Sequence, residues 1–124
     1  MPTRRKTSSI LLDVKKLLGL TSEYTVFDRD IIININSAFS SLWQLGVGPS
    51  EGYTISGEED SWEDFLNDEN KLEFVKQYVY LKTKIIFDPS ASSAVTEAYN
   101  KQISELEWRM NVFVDHRKDS QNDK

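Results

Sequence analysis

The chain of 124 residues has no cysteine and a single histidine, His116. Without cysteine it can form neither disulfides nor zinc-thiolate sites, and it has no thiol nucleophile. His116 lies in a polar stretch where nothing in the sequence would fix its tautomer or place a nucleophile beside it. The serines have no accompanying base and no nucleophile-elbow glycines. The sequence therefore predicts a protein that is not an enzyme.

Long apolar runs are also missing, since stretches such as Ile31 to Ile33 are far shorter than the roughly 20 residues needed to span a bilayer. The basic cluster Arg4, Arg5 and Lys6 leads into a helical pattern with charged residues, which is not the pattern of a secretory signal. No membrane association is expected. A flexible, solubilising N-terminus is the simpler interpretation of the basic cluster, and a nucleic-acid-binding arm is the alternative.

Motifs for phosphate or metal binding are absent as well. Gly46, Gly48 and Gly52 lack the strand-to-helix context and the following lysine of a phosphate-binding loop. Asp60 and Asp64 do not reproduce the alternating ligand pattern of a calcium loop. We therefore expect no cofactor and no metal ion.

The net charge of −5 is unevenly distributed along the chain. Residues 58–73 alone sum to −7, because they contain a single lysine and eight acidic residues: Glu58, Glu59, Asp60, Glu63, Asp64, Asp68, Glu69 and Glu73. The rest of the chain is slightly positive. A localised acidic surface of this kind does not favour non-specific binding to nucleic acid.

The spacing of apolar residues predicts an all-α fold of four to five helices. A first helix is predicted over 10–18, capped by Ser8 or Ser9 and ended by Gly19. A second is predicted from an Asp28 N-cap to Gly46, because its isoleucine-rich start continues into a helical period too long for a strand.

The glycine-rich region from Gly46 to Gly57 predicts a long loop, in which Tyr53 to Ile55 could form one arm of a short hairpin. Ser61 and Asp64 are spaced as in a capping box and predict a short third helix. A central fourth helix is predicted over 71–87, stopped by Pro89. A long last helix follows, with a polar tail after residue 114.

Three tryptophans are many for so small an acidic chain, and aromatic side chains dominate protein interfaces. Trp43 is predicted to pack in the core. For Trp62, at the start of the acidic short helix, and Trp108, beside the core stripe of the last helix, core and interface positions both remain open.

Five segments together resemble the head-tail connector (adaptor, or neck) proteins of long-tailed bacteriophages and prophages. They cover about residues 10–115, and their order and spacing carry the resemblance: Ile35-Asn36-Ser37-Ala38-Phe39, Leu45-Gly46-Val47-Gly48-Pro49, Ser61-Trp62-Glu63-Asp64-Phe65, Tyr78-Val79-Tyr80-Leu81-Lys82 with Phe87-Asp88-Pro89-Ser90, and Leu106-Glu107-Trp108-Arg109-Met110-Asn111-Val112.

The resemblance implies a structural virion protein of the neck, assembled in the cytoplasm of the bacterial host. Its subunits would form a homo-oligomeric, dodecameric ring beneath the portal protein that extends the DNA channel. The ring would then receive a downstream stopper or tail-completion protein. DNA would only pass through the channel, without sequence-specific binding.

With this resemblance the chain divides into a flexible basic N-terminus (1–8), a helical connector domain (9–114) and a flexible polar C-terminal tail (115–124). The candidate subunit or partner interface comprises Trp62, Phe65, Trp108, Arg109 and Phe113. The candidate channel-facing residues, which would repel DNA phosphates, are Glu58, Glu59 and Asp60.

The alternative hypothesis is a small helical regulator that binds DNA or another protein. A DNA-binding regulator should show a basic recognition helix, whereas the predicted helices carry mixed charge and the strongest patch is acidic. The sequence therefore favours the connector.

Overall fold

A computed structural model describes residues 9–87 and 92–122, with the side chains of Glu69, Phe113 and residues 115–122 outside the described part. The elements in chain order are α1 (Ile10–Leu17), α2 (Asp28–Gln44), α3 (Trp62–Phe65), α4 (Glu69–Phe87) and α5 (Ser93–Asn122). Over these ranges there is no strand, only one isolated bridge between Ser9 and Ser61. The predicted all-α fold is confirmed.

Helix α4 is the central element, as predicted, because it packs against α1, α2 and α5. Its buried side chains include Val75, Tyr78 and Val79. Leu72 is buried as well, whereas Ile86 is mostly exposed in the last turn. One helix thus organises a single core to which the other helices contribute.

Helix α1 begins at the predicted residue, Ile10, and ends at Leu17, one residue before the predicted end. The Ser9 side chain accepts a hydrogen bond from the Leu12 N–H (3.2 Å), and Gly19 has a φ of 89°. A left-handed residue just after the last turn is the usual end of a helix, and glycine adopts it without steric cost. Ile10, Leu11 and Val14 form the buried face.

The predicted N-cap of α2 is wrong by one residue. Phe27 occupies the N-cap position without a side-chain hydrogen bond, and Asp28 is the first helical residue. The Asp28 carboxylate instead lies 2.8 Å from Nζ of Lys15, a lysine that is buried on α1. Nζ of Lys15 also donates to the Ser22 carbonyl oxygen (3.2 Å). The ammonium group therefore holds the α1–α2 connector between the two helices.

Replacing Lys15 with methionine should lower the free energy of unfolding by about 1–3 kcal/mol, because it leaves the Asp28 carboxylate without its partner. Lys16 is the matched control, since it is exposed on the same helix. Lys16→Met should stay close to wild type in urea denaturation. Equal stability of the two variants would show that the buried ion pair contributes nothing.

The glycine-rich loop does not form the hairpin considered from the sequence. The Asn36 side chain on α2 accepts a hydrogen bond from the Ile55 N–H (2.7 Å) and donates one to the Ile55 carbonyl oxygen (3.1 Å). Because one amide satisfies both backbone groups, Ile55 needs no partner strand. The loop is instead fixed to α2, with the Ile55 side chain buried in the core.

Helix α3 begins with the predicted cap, since the Asp64 carboxylate accepts a hydrogen bond from the Ser61 N–H (3.2 Å). Residues 66–68 then separate α3 from α4. Asp68 starts α4 by accepting hydrogen bonds from the N–H groups of Asn70 (3.1 Å) and Lys71 (3.3 Å).

Helix α5 is longer than predicted and continues to Asn122. Residues 115–122, predicted to be a tail, contain no proline or glycine that would end it. At about 1.5 Å per residue, its 30 residues span about 45 Å. Ser92 caps its start, accepting from the Val95 N–H (3.3 Å). The predicted stop at Pro89 and the flexible N-terminus (1–8) lie outside the described residues.

Candidate assembly surfaces

Two of the five predicted interface residues, Trp62 and Phe65, belong to the core. Trp62 is 1% exposed, and its indole N–H donates to the Asp13 carboxylate on α1 (2.9 Å). The Phe65 ring lies 4.7 Å from that of Phe39, centre to centre. Because α3 packs both rings inward, neither is available to a partner, and this part of the interface prediction is wrong.

Trp108 lies on the surface instead. Along α5 the buried residues are Ile103, Leu106 and Met110. Trp108 stands two positions from both Leu106 and Met110, which at 3.6 residues per turn places it on the opposite side of the helix. Its side chain is 66% exposed. Val112, one turn further along, is also exposed. We call Trp108 and Val112 the α5 patch.

Arg109, beside the α5 patch, forms an ion pair with Glu105 (3.0 Å) and stands over the ring of Phe74 on α4 (5.9 Å). Both contacts are within the subunit, and the guanidinium remains exposed enough to contact a partner as well. Phe113 belongs to α5, but its side chain lies outside the described part. The interface role of Trp108, Arg109 and Phe113 stays a prediction.

A second apolar surface was not singled out from the sequence. Tyr24, Val26 and Phe27 are exposed in the α1–α2 connector. Phe27 contacts Tyr24 (5.9 Å between ring centres) and Phe87 at the end of α4 (5.2 Å), both edge to face. We call these four residues the connector patch. The sequence did contain a signal for this patch, because Tyr24, Val26 and Phe27 are large apolar residues in a connector too short to bury them.

Trp43 is also exposed, at 51%, so the prediction that it packs in the core is wrong. Its indole N–H donates to the Ser50 carbonyl oxygen in the glycine-rich loop (2.9 Å). The ring thereby supports the loop from outside, while Phe39, one turn earlier on α2, is buried.

The acidic segment 58–73 contains both structural and exposed carboxylates. Asp60 accepts hydrogen bonds from the N–H groups of Ser56 (2.8 Å) and Gly57 (3.3 Å), so its carboxylate stabilises the loop. Asp64 and Asp68 cap helices, as described above. Glu58 and Glu59 are exposed. Of the three predicted channel-facing residues, these two are therefore the better placed to act on a charged neighbour.

The surroundings of two tyrosines, Tyr53 and Tyr78, raise the pKa values of their hydroxyl groups. Burial raises the pKa of Tyr53 to about 12, and the charges of Asp60 and Asp64 act in the same direction. Burial also raises the pKa of Tyr78, aided by the hydrogen bond that its hydroxyl donates to Glu107 (2.7 Å). This bond connects α4 to α5 beside the α5 patch. It therefore helps to fix the helix that presents Trp108.

These raised pKa values predict a loss of stability in alkaline solution. The folded state keeps both phenols protonated above a pH of about 10, at which the unfolded chain releases their protons. The stabilisation is thus complete below that pH and is lost as the pH rises. Tyr78→Phe should show a smaller decrease in unfolding free energy between about pH 8 and about pH 11. Identical decreases in wild type and variant, followed by urea denaturation, would contradict this assignment.

Within residues 9–87 and 92–122, no group of three or more His, Cys, Asp or Glu side chains could hold a metal ion. None of the helices in the described part is both long and apolar enough to cross a membrane. The notable features of the described surface are the two apolar patches and the exposed carboxylates of Glu58 and Glu59.

The comparisons with known proteins agree with a role in assembly. The family model described as phage connector protein matches residues 10–117, which include all five helices up to the last turns of α5. No curated protein and no solved structure gave a significant match. Since the family model covers most of the chain, the protein belongs to the phage connector protein family.

Proposed function

We propose that this chain is the head-tail connector subunit of a tailed bacteriophage. It forms a homo-oligomeric ring, dodecameric in the virion, beneath the portal protein. The ring extends the DNA channel and receives a stopper or tail-completion protein on its other side. Assembly takes place in the cytoplasm of the bacterial host. The observation that carries this proposal is the match of the connector family over residues 10–117.

The surface of the subunit supports an assembly role. A standard protein interface buries about 800 Å² on each partner, or about a tenth of the 7936 Å² accessible surface of this subunit. A ring subunit has two such interfaces. Exposed aromatic side chains such as Trp108, Phe27 and Tyr24 are the kind that anchor them, because they bury a large apolar area at a small cost in conformational entropy.

The exposed carboxylates give the ring a way to pass DNA without holding it. Glu58 and Glu59 line the channel in our proposal, where they repel the phosphates of the DNA and favour sliding. Asp60 contributes its charge to the same region, although its carboxylate is bound to the backbone of the loop. Repulsion at this position would be screened by salt over about 8–10 Å at physiological ionic strength.

Electron microscopy of the purified protein with its cognate portal protein tests the proposal. We expect rings stacked on the portal, with the subunit number counted from class averages. The protein alone should remain monomeric or weakly associated when dilute and form rings when concentrated. Persistent monomers that do not bind the portal would refute the connector role. A tight complex with one DNA sequence would favour the alternative, a small regulator.

A further inference from the structure

Helix α5 has few buried anchors for its length. Helices α1, α2 and α4 each pack against the other two, whereas α5 packs mainly against α4. Although α5 has 30 residues, only Ile103, Leu106 and Met110 are buried among its described side chains. Helix α2, by comparison, buries five side chains within 17 residues. The anchors of α5 thus lie within about two turns near its middle.

The first turns of α5 are not supported by any buried side chain. From Ser93 to Gln102 every side chain is exposed except those of Thr96 and Tyr99, which are partly buried. Apolar Val95 is 40% exposed. These turns have few apolar contacts to lose when the helix moves, and their backbone hydrogen bonds move with them because they are internal to the helix.

The contact between α5 and its neighbours is also loosely packed. A small apolar cavity lies between Met110 and Val114 on α5, Val75 on α4 and Val47 in the glycine-rich loop. Atoms that line a cavity lack contacts on one side, so they contribute less dispersion attraction than fully packed atoms. The contact that holds α5 is therefore incomplete as well as short.

The polar contacts of α5 do not lock it in place. The Tyr78 hydroxyl donates to the Glu107 carboxylate (2.7 Å) and also shares a hydrogen bond with the Ser41 side chain on α2. When α5 moves away, Ser41 remains beside the hydroxyl, and the partly buried Glu107 becomes hydrated. Arg109 keeps its ion pair with Glu105, because both belong to α5. Neither Glu107 nor Arg109 is thus left as a buried charge without a partner.

We propose that α5 opens as one cooperative unit away from a body formed by α1 to α4, while that body stays folded. Segments that open locally are those whose opening costs less than global unfolding. The body retains a core of its own, because α1, α2 and α4 bury side chains against one another. Opening uncovers the face of α4 around Val75 and Tyr78, which are fully buried when α5 is in place. Helix α5 is thus a movable cover over this face.

Hydrogen exchange of the full chain in dilute solution tests the opening, with two variants that carry the same substitution. Ile103→Val shortens a buried anchor of α5, and Ile10→Val shortens a buried side chain of α1, which packs on α2 and α4. Both changes are small enough for the variants to remain folded. Ser104→Ala is the control, since Ser104 is exposed on α5 beside Ile103. Amide exchange is followed by NMR at several low urea concentrations.

In wild type, the protection of amides in α5 should be at least about tenfold lower than that of amides in α2 and α4. It should also depend less on urea, because opening of α5 exposes less surface than global unfolding does. Ile10→Val should lower protection about 2- to 10-fold in α2 and α4 but leave α5 unchanged, because the contacts of Ile10 persist in the open form. Ile103→Val should lower protection in all three helices by the same factor, because its contacts are lost in both the open and the unfolded state.

Two results would overturn the inference. An equal effect of Ile10→Val on all three helices would show that α5 is released only by global unfolding. Unchanged protection of α5 in Ile103→Val would show that this helix frays residue by residue and does not open as a unit. Ser104→Ala should match wild type in every helix. The proposed function is tested separately, because these measurements need neither the ring nor the portal.

Discussion

Gly48→Ala should lower the free energy of unfolding by about 2–5 kcal/mol. Gly48 has a φ of 94°, a conformation that costs an L-residue about 1–2 kcal/mol. A Cβ atom would also lie 2.4 Å from one ring carbon of Phe65. The ring cannot move aside easily, because it is buried against Phe39 and Tyr53, and overpacking of this kind adds about 1–3 kcal/mol. Thermal and urea denaturation measure the loss.

Gly19→Ala separates the two contributions. Gly19 has nearly the same φ, 89°, but a Cβ atom there would meet nothing within 4 Å. Its cost is therefore conformational only, about 1–2 kcal/mol. Equal losses at both positions would show that contact with Phe65 is unimportant. A double variant in which Phe65 is shortened to leucine should recover part of the Gly48→Ala loss if the clash is real.

Trp62→Ala should be as damaging as any substitution in the chain, with a loss of about 3–5 kcal/mol. The indole is buried at the point where α1, α3 and α4 meet, and its removal also leaves the Asp13 carboxylate without a donor. The cation of Lys76, 5.9 Å from the ring centre, loses its contact as well. Calorimetry should show a large drop in melting temperature.

Trp108→Ala is the matched control, because it removes the same side chain from an exposed position. Surface substitutions of this kind usually change stability by within about 0.5 kcal/mol. Trp108→Ala should therefore have the same melting temperature as wild type but fail to form rings on the portal. A large drop in its melting temperature would assign Trp108 to the core, and normal rings would remove it from the interface.

The helices were predictable because their signals are local. Ser9 and Gly19 mark the two ends of α1 through backbone groups within a few residues. The local sequence is therefore enough to predict where this helix begins and ends. The same holds for Ser61 and Asp64 at the start of α3. The end of α5 was predicted wrongly at residue 114, because the polar residues that follow include no proline or glycine to end the helix.

Burial of the tryptophans was not predictable, because it depends on which neighbour covers each side of a helix. Trp43 follows the apolar period of Phe39 and Leu42, but only the path of the glycine-rich loop decides that it is left outside. Trp62 stands among acidic residues, and only the packing of α3 on α1 takes it into the core.

Only one of the two apolar patches was predicted from the sequence, because exposure also depends on how the helices pack. Trp108 drew notice as an aromatic residue between charged neighbours, and it proved to be exposed. The connector patch was missed because its fourth member, Phe87, is 60 residues away in the chain from Phe27, and only the fold brings the two rings together. Lys15 was missed as a buried residue because its partner Asp28 is on another helix.

The position of α1 has a consequence for the order of folding. Its first N–H donates to the Asp60 carbonyl oxygen (3.0 Å), Asp13 accepts from Trp62, and the Leu17 carbonyl oxygen accepts from Tyr80 (3.2 Å). All of these partners are about 50 residues or more away from it. On a translating ribosome α1 can therefore contact α2 early, through the Lys15–Asp28 ion pair, but it cannot form these three hydrogen bonds until α4 has emerged. Such late, long-range closure slows folding relative to bundles whose helices pair with their immediate neighbours.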